Sequence, residues 1–543
     1  MSVELLPYLL MNTSPEIQKP KRPRRWLKRL AWSVVWLVTL LALAVVVLNW
    51  KGARAWKAAV EEINAEGDSL DLASVVPPQV PDEENMASAT IFAQLFESDD
   101  AKKQNDLAQP SLIRITPDPE GAPHVLAKNT GWRNGRPVDL KSWQTCYWEN
   151  VQILKTNPKK AEAMPAVWKE HFKNSYWNGS PQAPAQDVLF ALSAFEAELE
   201  QVREACERPQ ARFPLHYEKG VEMVMPYMPM CKLVRVVALK ASAELALNQN
   251  EAALEDVLLA FRMADSIKSD PLLISYLIHL SIVHVAYEPL WTGIAKHHWN
   301  DQQLARLDVA LSSLNLIEHL HLASRGDRNL SLVSLELNQR NPEFFKIVSG
   351  MTDDPEQTKW FIPWVRIVPQ GWFDYNKVKL VQSWKESLGC SDLKSMRIFP
   401  ERISALNPET KKPEASRFKI NLFPVLTFGV IHSVHKSGAF VQSVNGLARI
   451  AIALERHFLK HGTYPENLAG LDESFSLKDG IPHDVATGNP PHYSRTSVDR
   501  FVLYYDGWNG KDDGGVTYME NGRVSYDYDK GDWVWPMPAE KRE

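Results

Sequence analysis

A run of twenty uncharged residues at positions 31–50, AWSVVWLVTLLALAVVVLNW, places the strongest constraint on this chain. An α-helix rises about 1.5 Å per residue, so the run covers the roughly 30 Å hydrocarbon core of a bilayer. Indole rings favour the headgroup region. Four of them lie at or near the ends of the run, at Trp26, Trp32, Trp36 and Trp50. The sequence therefore predicts one transmembrane helix at residues 31–50.

Basic residues are concentrated on one side of this helix. Lys51, Arg54 and Lys57 follow it, whereas a larger set precedes it: Lys19, Lys21, Arg22, Arg24, Arg25, Lys28 and Arg29. Because cytoplasmic flanks carry the excess of Lys and Arg, we expect a basic cytoplasmic tail at residues 1–30. The bulk of a single-pass protein would then lie outside the cytoplasmic (inner) membrane, in the periplasm.

A cleaved signal peptide is the alternative to this anchor. Signal peptides have apolar cores of about 7–15 residues and a small-residue cleavage site. The run here is longer, and its best A-x-A candidate, Ala53-Arg54-Ala55, contains a charge. The sequence therefore favours an uncleaved signal anchor.

The overall composition is that of a globular protein, with 45% hydrophobic and 23% charged residues. The net charge is −5 even though residues 1–30 are basic, so the exported part is acidic and a nucleic-acid partner is not expected. The cysteines Cys146, Cys206, Cys231 and Cys390 form no C-x-x-C pair, which does not favour a zinc or redox site. Spacing leaves open whether Cys206 and Cys231 form a disulfide or remain thiols.

Residues 51–141 are interpreted as a linker and irregular segment between the membrane and the body. Residues 51–63 have a helical pattern, but VVPPQVP at 75–81 interrupts regular structure because Pro lacks a backbone donor. Residues 64–85 are therefore expected to be a linker that lifts the body off the bilayer. Pro, Gly and Asp without a clear period continue the irregular segment to residue 141.

Residues 142–436 are predicted to form a helical body, because apolar residues recur every three or four positions. Residues 232–247 and 251–268 form two such helices, separated by Asn248-Gln249-Asn250. This pair resembles one helix-turn-helix of the tetratricopeptide type. No second copy follows at that period, so a repeat array is not expected.

The next two helices are predicted from their capping signals. Asp270-Pro271 is expected to cap a largely apolar helix at residues 272–297, which should lie centrally in the fold. Asn300 with Gln303 predicts a capping box that starts another helix, running through residue 320 and as far as residue 337.

An aromatic segment at residues 360–373, WFIPWVRIVPQGWF, is too short and too interrupted by proline to span a membrane. It is interpreted either as an irregular piece of the core or as a patch that docks a partner or the membrane surface.

The C-terminal hundred residues carry the most specific pattern. A helix that includes Leu447 and Leu454 is expected to end at His461-Gly462, with glycine at the C′ position. FVLYY at 501–505 is rich in strand formers, and companion strands are expected at Tyr493 and 524–528.

The order of these motifs resembles the globular part of type II secretion major pseudopilins. The matching residues are His461, Gly462, Tyr464 and Pro465, then Pro482, Asp484 and Gly488, then Asp506, Gly507, Asp512 and Asp513. The resemblance covers residues 440–530 and implies a small pseudopilin-like α+β module at 437–543. The whole chain resembles a group of bacterial membrane-anchored proteins, without an assigned activity, that join a helical body to such a module.

The pseudopilin resemblance also implies a calcium site near the final strand turn. Calcium takes six to eight oxygen ligands, and Asp506, Asn509, Asp512 and Asp513 in a glycine-rich loop can supply several. The alternative is a polar turn without metal, because Asp and Gly are also the residues that turns prefer.

The fold class expected is therefore mainly α, with one transmembrane helix and a small C-terminal α+β module. The nucleophile-elbow, phosphate-loop and dinucleotide-binding motifs are absent from the sequence. A non-catalytic extracytoplasmic scaffold or interaction protein, with a protein partner in the cell envelope, is the favoured function. The alternatives are an exported hydrolase whose site assembles only in the fold, and a secretion- or pilus-related structural subunit.

Overall fold

The computed structural model describes most of the chain. The described residues are 25–93, 130–157, 181–217, 227–339, 368–406, 422–471, 480–520, 523–525 and 527–539, with residues 159, 162 and 477. They are mainly helical and carry a small sheet, which confirms the expected fold class at that level. The segment at 360–367 lies outside the described residues, as does the tail at 1–24.

The α-helices of the described residues are, in chain order, α1 (Arg25–Ala65), α2 (Thr90–Ala93), α3 (Leu140–Thr156), α4 (Pro184–Ser193), α5 (Glu196–Cys206), α6 (Met228–Ala246), α7 (Asn250–Asp265), α8 (Leu273–Ala295), α9 (Asp301–Ser312), α10 (Leu316–Asn338), α11 (Gln370–Leu388), α12 (Pro400–Ala405) and α13 (Leu422–His461). The strands are β1 (Ser391–Asp392), β2 (Arg397–Ile398), β3 (His492–Ser497), β4 (Arg500–Tyr505), β5 (Met519–Glu520), β6 (Arg523–Val524) and β7 (Trp533–Val534).

Two helices of the described residues are long and apolar enough to cross a membrane, α1 and α8. The apolar part of α1 is entirely exposed, which fits a candidate anchor in contact with lipid. Two thirds of the apolar window of α8 is buried inside the protein, so α8 is its central core helix, as the sequence predicted.

The helix α1 does not end at the expected membrane boundary. It continues for 41 residues, and its second half packs along α11. The two backbones approach so closely that a Cβ on Gly52 would lie 2.5 Å from the carbonyl oxygen of Gly371. At the far end Lys385 pairs with Glu62 and Glu66. The candidate anchor is therefore part of one continuous helix whose second half is packed against α11.

We expect Gly52→Val to weaken the contact between α1 and α11. The new side chain would meet backbone atoms of Gly371, which cannot rotate away. Overpacking of this kind costs about 1–3 kcal/mol. The matched control is Ala53→Val, an exposed neighbour on the same helix, which should change the free energy of unfolding by less than about 1 kcal/mol. Urea unfolding in nanodiscs measures both, and equal effects would contradict the close contact.

The linker expected at residues 64–85 is instead docked on the body. Asp68 pairs with Arg325 at 2.6 Å and with Arg328 at 2.7 Å, both on α10. Further along, Met86 and Phe92 are fully buried in the core. The described part of 51–141 is therefore built into the fold, because its charges and apolar side chains find partners there.

The helical pair α6 and α7 has the predicted bounds to within a few residues and packs side by side. Its likeness to a tetratricopeptide unit stays a prediction. The expected cap at Asp270 is wrong, because α8 begins at Leu273 and the Asp270 carboxylate is buried. It accepts hydrogen bonds from Ser275 at 2.7 Å, from Tyr217 at 3.1 Å and from Tyr227.

The capping box of α9 is confirmed, since Asn300 and Gln303 exchange side-chain and backbone hydrogen bonds of 2.9 and 3.0 Å. The prediction of one continuous helix from this box through residue 320 is wrong. The helix α9 ends at Ser312, and α10 begins at Leu316 after three non-helical residues. The Asn315 side chain caps α10 by accepting a hydrogen bond of 3.0 Å from the Glu318 N–H. A second asparagine cap thus divides one apolar pattern into two helices.

The helix α13 joins the body to the C-terminal residues. It is 40 residues long, and the predicted module start at residue 437 falls inside it. It packs against α8, α9, α10 and α11, and also against β4 and β7. The predicted end at His461 with Gly462 in a left-handed conformation (φ 73°) is confirmed. Body and C-terminal residues therefore share one hydrophobic core.

The small sheet has the strand order β3-β4-β7, with antiparallel pairing throughout. Tyr493 faces Leu503 in the register, as expected for a companion strand. Val524 pairs with Met519 instead of with β4, whose second partner is Trp533–Val534. The thiols of Cys206, Cys231 and Cys390 are free, which decides against a disulfide between the first two.

Candidate functional site

A short loop at residues 130–138 is clamped between the helical body and the C-terminal strands. Gly131 (φ 92°) and Gly135 (φ 64°) bracket a 3₁₀ turn, in conformations that only glycine adopts easily. A Cβ on Gly135 would lie 2.6 Å from the carbonyl oxygen of Met537. The Ala539 N–H donates to the Gly135 carbonyl at 2.8 Å. The loop therefore holds residues 537–539 against the body.

Trp132, at the centre of this loop, is only 3% exposed. Its ring centroid lies 5.3 Å from that of His284, 5.8 Å from that of Tyr287 and 5.9 Å from that of Trp535. Aromatic contacts at these distances contribute beyond simple burial. The indole thus links the loop, α8 and the segment after β7.

A pocket of about 270 Å³ opens beside this tryptophan. One wall is the loop itself. The other walls come from α6 and α8, where Ala238, Leu239 and Val285 supply an apolar surface. Ligand sites are usually concave and largely apolar with a few polar groups. We call this cavity the Glu288 pocket, after the buried glutamate in its lining.

Glu288 is the acid of the pocket, and its two oxygens differ. Oε2 accepts a hydrogen bond of 2.7 Å from the Trp132 N–H. Oε1 is excluded from solvent and accepts no well-formed hydrogen bond from the described residues. Burial raises the pKa of Glu288 to about 7, although backbone N–H groups at Trp132 and Val138 oppose the shift. Oε1 can therefore accept a stronger hydrogen bond from a bound group than it receives from the described residues.

Pro289 follows this acid inside α8. Proline has no N–H, so the carbonyl of Val285, one turn earlier, lacks its usual helical donor. Val285 also lines the pocket. One helical hydrogen bond is therefore missing in the turn that carries Glu288.

The pocket also holds nitrogen-bearing side chains. His284 lies one turn before Glu288, and burial together with the nearby Arg133 lowers its pKa to about 3, so its ring is neutral at pH 7. Arg133 donates to the Ser525 carbonyl at 2.8 Å and stacks over Phe440 at 5.1 Å. Arg235 lies exposed at the rim. The lining of the pocket therefore includes nitrogen-bearing groups as well as the Glu288 carboxylate.

The sequence does not predict this pocket. Glu288 and His284 fall within the largely apolar helix that is predicted at residues 272–297, and nothing in the local pattern distinguishes them from solvated polar residues. The usable signals were a glutamate directly before a proline within that helix, and the paired glycines of GWRNG at residues 131–135.

The four predicted calcium ligands lie in the turn that follows β4, at residues 506–513. Only some of them contact one another. Asp506 accepts from Asn489 and from His492 Nε2, both at 2.7 Å. Asn509 donates to Asp513 at 3.2 Å, and Asp512 accepts from Tyr504 at 2.9 Å. Within the described residues no three His, Cys, Asp or Glu side chains are grouped to hold a metal.

Two aspartates outside that set organise the same turn. Asp532 accepts from the N–H groups of Asp513 at 3.1 Å and of Gly515 at 2.6 Å. Asp484 accepts from the Gly507 N–H at 3.0 Å. Carboxylate-to-backbone hydrogen bonds therefore hold the loop.

A second buried acid, Glu455 of α13, binds the end of α8. His297 Nδ1 lies 2.7 Å from Glu455 Oε1, and the Tyr464 hydroxyl donates to Oε2 at 3.0 Å. The hydrogen bond to Glu455 raises the pKa of His297, against the effect of burial. His297 also has a positive φ of 55°, a conformation that Asn tolerates as well.

This contact predicts a pH dependence of stability. Because the folded-state pKa of His297 is raised, its stabilising effect is complete below the unfolded value of about 6.5 and is lost as pH rises through the folded value. We expect His297→Asn to lower the melting temperature at pH 6 and to lower it less at pH 9. His298→Asn is the control, since burial lowers the pKa of His298. A pH-independent effect of His297→Asn would contradict the assignment.

Comparison of the chain with models of protein families, with curated proteins and with solved structures finds no match.

Proposed function

We propose that the protein is a membrane-anchored, extracytoplasmic interaction protein that captures part of an envelope partner in the Glu288 pocket. The observation that carries this proposal is Glu288 Oε1, a buried acceptor without a well-formed partner among the described residues, in a mainly apolar cavity. A bound group that donates a hydrogen bond would remove the cost of that unpaired oxygen. The occupant we propose is an apolar peptide side chain next to an N–H or amine group.

The anchor belongs to the same proposal. The exposed apolar half of α1 and the basic flank before it support a span at residues 31–50 with a cytoplasmic N-terminus. The body would then lie on the periplasmic side of the inner membrane. The continuous helix from span to body supports a fixed position of the pocket relative to the bilayer.

The pseudopilin-like module at 437–543 is likewise a proposal. The element order supports it: a long helix α13, a left-handed Gly462, then the hairpin of β3 and β4 followed by an aspartate-rich turn. Calcium binding at Asp506, Asn509, Asp512 and Asp513 remains part of this proposal. The full chain with Asp512→Asn, melted in EDTA and in millimolar calcium, tests it, because a bound metal stabilises by mass action. A secretion- or pilus-related subunit would require filaments.

The test of the interaction proposal is a selection of displayed peptides on the full chain in nanodiscs. Peptides selected on the wild type should bind Glu288→Gln about tenfold or more weakly, because a hydrogen bond to a charged group contributes about 1.5–3 kcal/mol. The control is Glu61→Gln, an exposed acid on α1, which should bind like the wild type. Equal binding by wild type and Glu288→Gln would contradict the proposal.

A hydrolase is the second candidate, and one observation favours it. The pKa of Glu288, raised by burial to about 7, suits a proton donor or acceptor at neutral pH. Cleavage of the selected peptides by the wild type but not by Glu288→Gln would decide for this alternative.

A further inference from the structure

The end of the candidate span meets the start of α11. The Gly371 N–H donates to the Asn49 side chain at 2.8 Å, and a Cβ on Gly371 would lie 2.1 Å from the Leu48 carbonyl oxygen. Leu48 and Asn49 belong to the last turn of the apolar run at 31–50. The first turn of α11 is therefore level with the last turn of the span.

Beyond this point the two helices run in the same direction into the body. Lys377 lies 5.3 Å from the Trp56 ring, and Lys385 lies 2.5 Å from Glu62. Each later turn of α11 thus meets a later turn of α1. Only the N-terminal turns of α11 can lie beside a bilayer that surrounds the span.

The side chains at this level have the chemistry of a membrane interface. We define them as the collar: Trp50, Lys51, Arg54, Trp372 and Tyr375. Trp50 is 60% exposed, Lys51 and Arg54 are exposed, and the two α11 aromatics are partly exposed. The Arg54 guanidinium lies 5.6 Å above the Trp50 ring. Tryptophan and tyrosine prefer the headgroup layer of a bilayer.

Charge along α1 changes sign with distance from the span. The cations Lys51, Arg54 and Lys57 come first. Glu61 and Glu62 follow about one turn after the last of them, and Glu66 lies just past the end of the helix. Anionic lipid headgroups attract Lys and Arg near the surface and repel acids. The collar end of α1 is therefore the end that suits a negatively charged membrane surface.

We propose that the collar lies in the headgroup layer and binds anionic phospholipid headgroups, which seats the body directly on the membrane. The inference rests on α1 as a transmembrane anchor, the part of the proposed function that brings the collar to lipid. It differs from that function, because the collar's ligand is lipid whereas the pocket's ligand is a peptide.

The test is photo-crosslinking of the full chain in nanodiscs that contain a phosphatidylglycerol and phosphatidylcholine mixture. A diazirine amino acid replaces Tyr375 in one variant, Leu41 in the middle of the span in a second, and Val309 in a third. Val309 lies on α9 and is 69% exposed. Mass spectrometry of the adducts reports which lipid is attached, and circular dichroism reports that each variant is folded.

We expect lipid adducts at positions 375 and 41 and none at 309. Adducts at 41 but not at 375 would overturn the collar and leave the anchor standing, whereas their absence at 41 would overturn both. The double variant Lys51→Gln/Arg54→Gln should lose the excess of phosphatidylglycerol adducts at 375. An unchanged lipid preference in that variant would overturn headgroup binding. Adducts at 375 to a second protein chain would assign the surface to a protein partner and overturn the proposal.

Discussion

Replacing Trp132 by alanine is expected to lower the free energy of unfolding by about 3–5 kcal/mol, the range for removal of a large buried aromatic side chain. The indole is packed between His284, Tyr287 and Trp535, so no single neighbour can move in to fill the space. The cavity would merge with the Glu288 pocket and release the segment after β7. Urea unfolding in nanodiscs, followed by tryptophan fluorescence, measures the loss.

The matched variant is Trp132→Phe. It retains an aromatic ring against the same three neighbours and the same backbone N–H to Glu288, so its loss should be clearly smaller. If alanine and phenylalanine cost the same, ring packing is not what holds the loop.

Arg328→Met is expected to cost about 3 kcal/mol, because it removes one partner from a buried ion pair. Arg328 is only 1% exposed and donates to Asp68 at 2.7 Å and to the Ser69 carbonyl at 2.8 Å. Methionine fills a similar volume but leaves those acceptors short of donors. Arg325 still pairs with Asp68, which keeps the expected cost near the low end of the range for such pairs.

The control for this prediction is Arg306→Met on α9. Arg306 pairs with Glu251 and Glu255 in solvent, where ion pairs contribute at most about 1 kcal/mol. Unfolding at several pH values adds a check. Burial acts to raise the pKa of Asp68, but hydrogen bonds from Arg328 and Ser69 hold it below its usual range. The wild-type advantage should therefore be present at neutral pH and fall as pH drops through that lowered pKa. A cost no larger than that of the control would contradict the buried pair.

Helices with a one-sided apolar pattern and a local stop signal could be predicted from the sequence. The pair α6 and α7, the capping box of α9 and the end of α13 at His461 depend on residues within a few positions of one another. Local preferences of this kind survive in the fold because the tertiary contacts agree with them.

Two features could not be predicted from the sequence: the docking of residues 64–85 on the body, and the Glu288 pocket. Asp68 is held by α10 side chains 257 and 260 positions away, and no spacing rule connects them. Glu288 acquires its role only when Trp132, 156 positions earlier, donates to it. A glutamate in an apolar helix has the same local pattern whether it faces solvent or lines a cavity.

The C-terminal residues contact parts of the chain that lie far away in the sequence, and this limits the order in which the protein can fold. Arg133 bonds to Ser525 across 392 positions, and Trp291 Nε1 bonds to Pro536 across 245. The topology that we propose exports the body starting from its anchor end, so the early loop and α8 must wait for residues 523–539 to emerge before the core closes. Such non-local closure is slow and leaves apolar surface open during synthesis. With that proposed topology, periplasmic holding chaperones are expected to engage the helical body until translocation has passed residue 539.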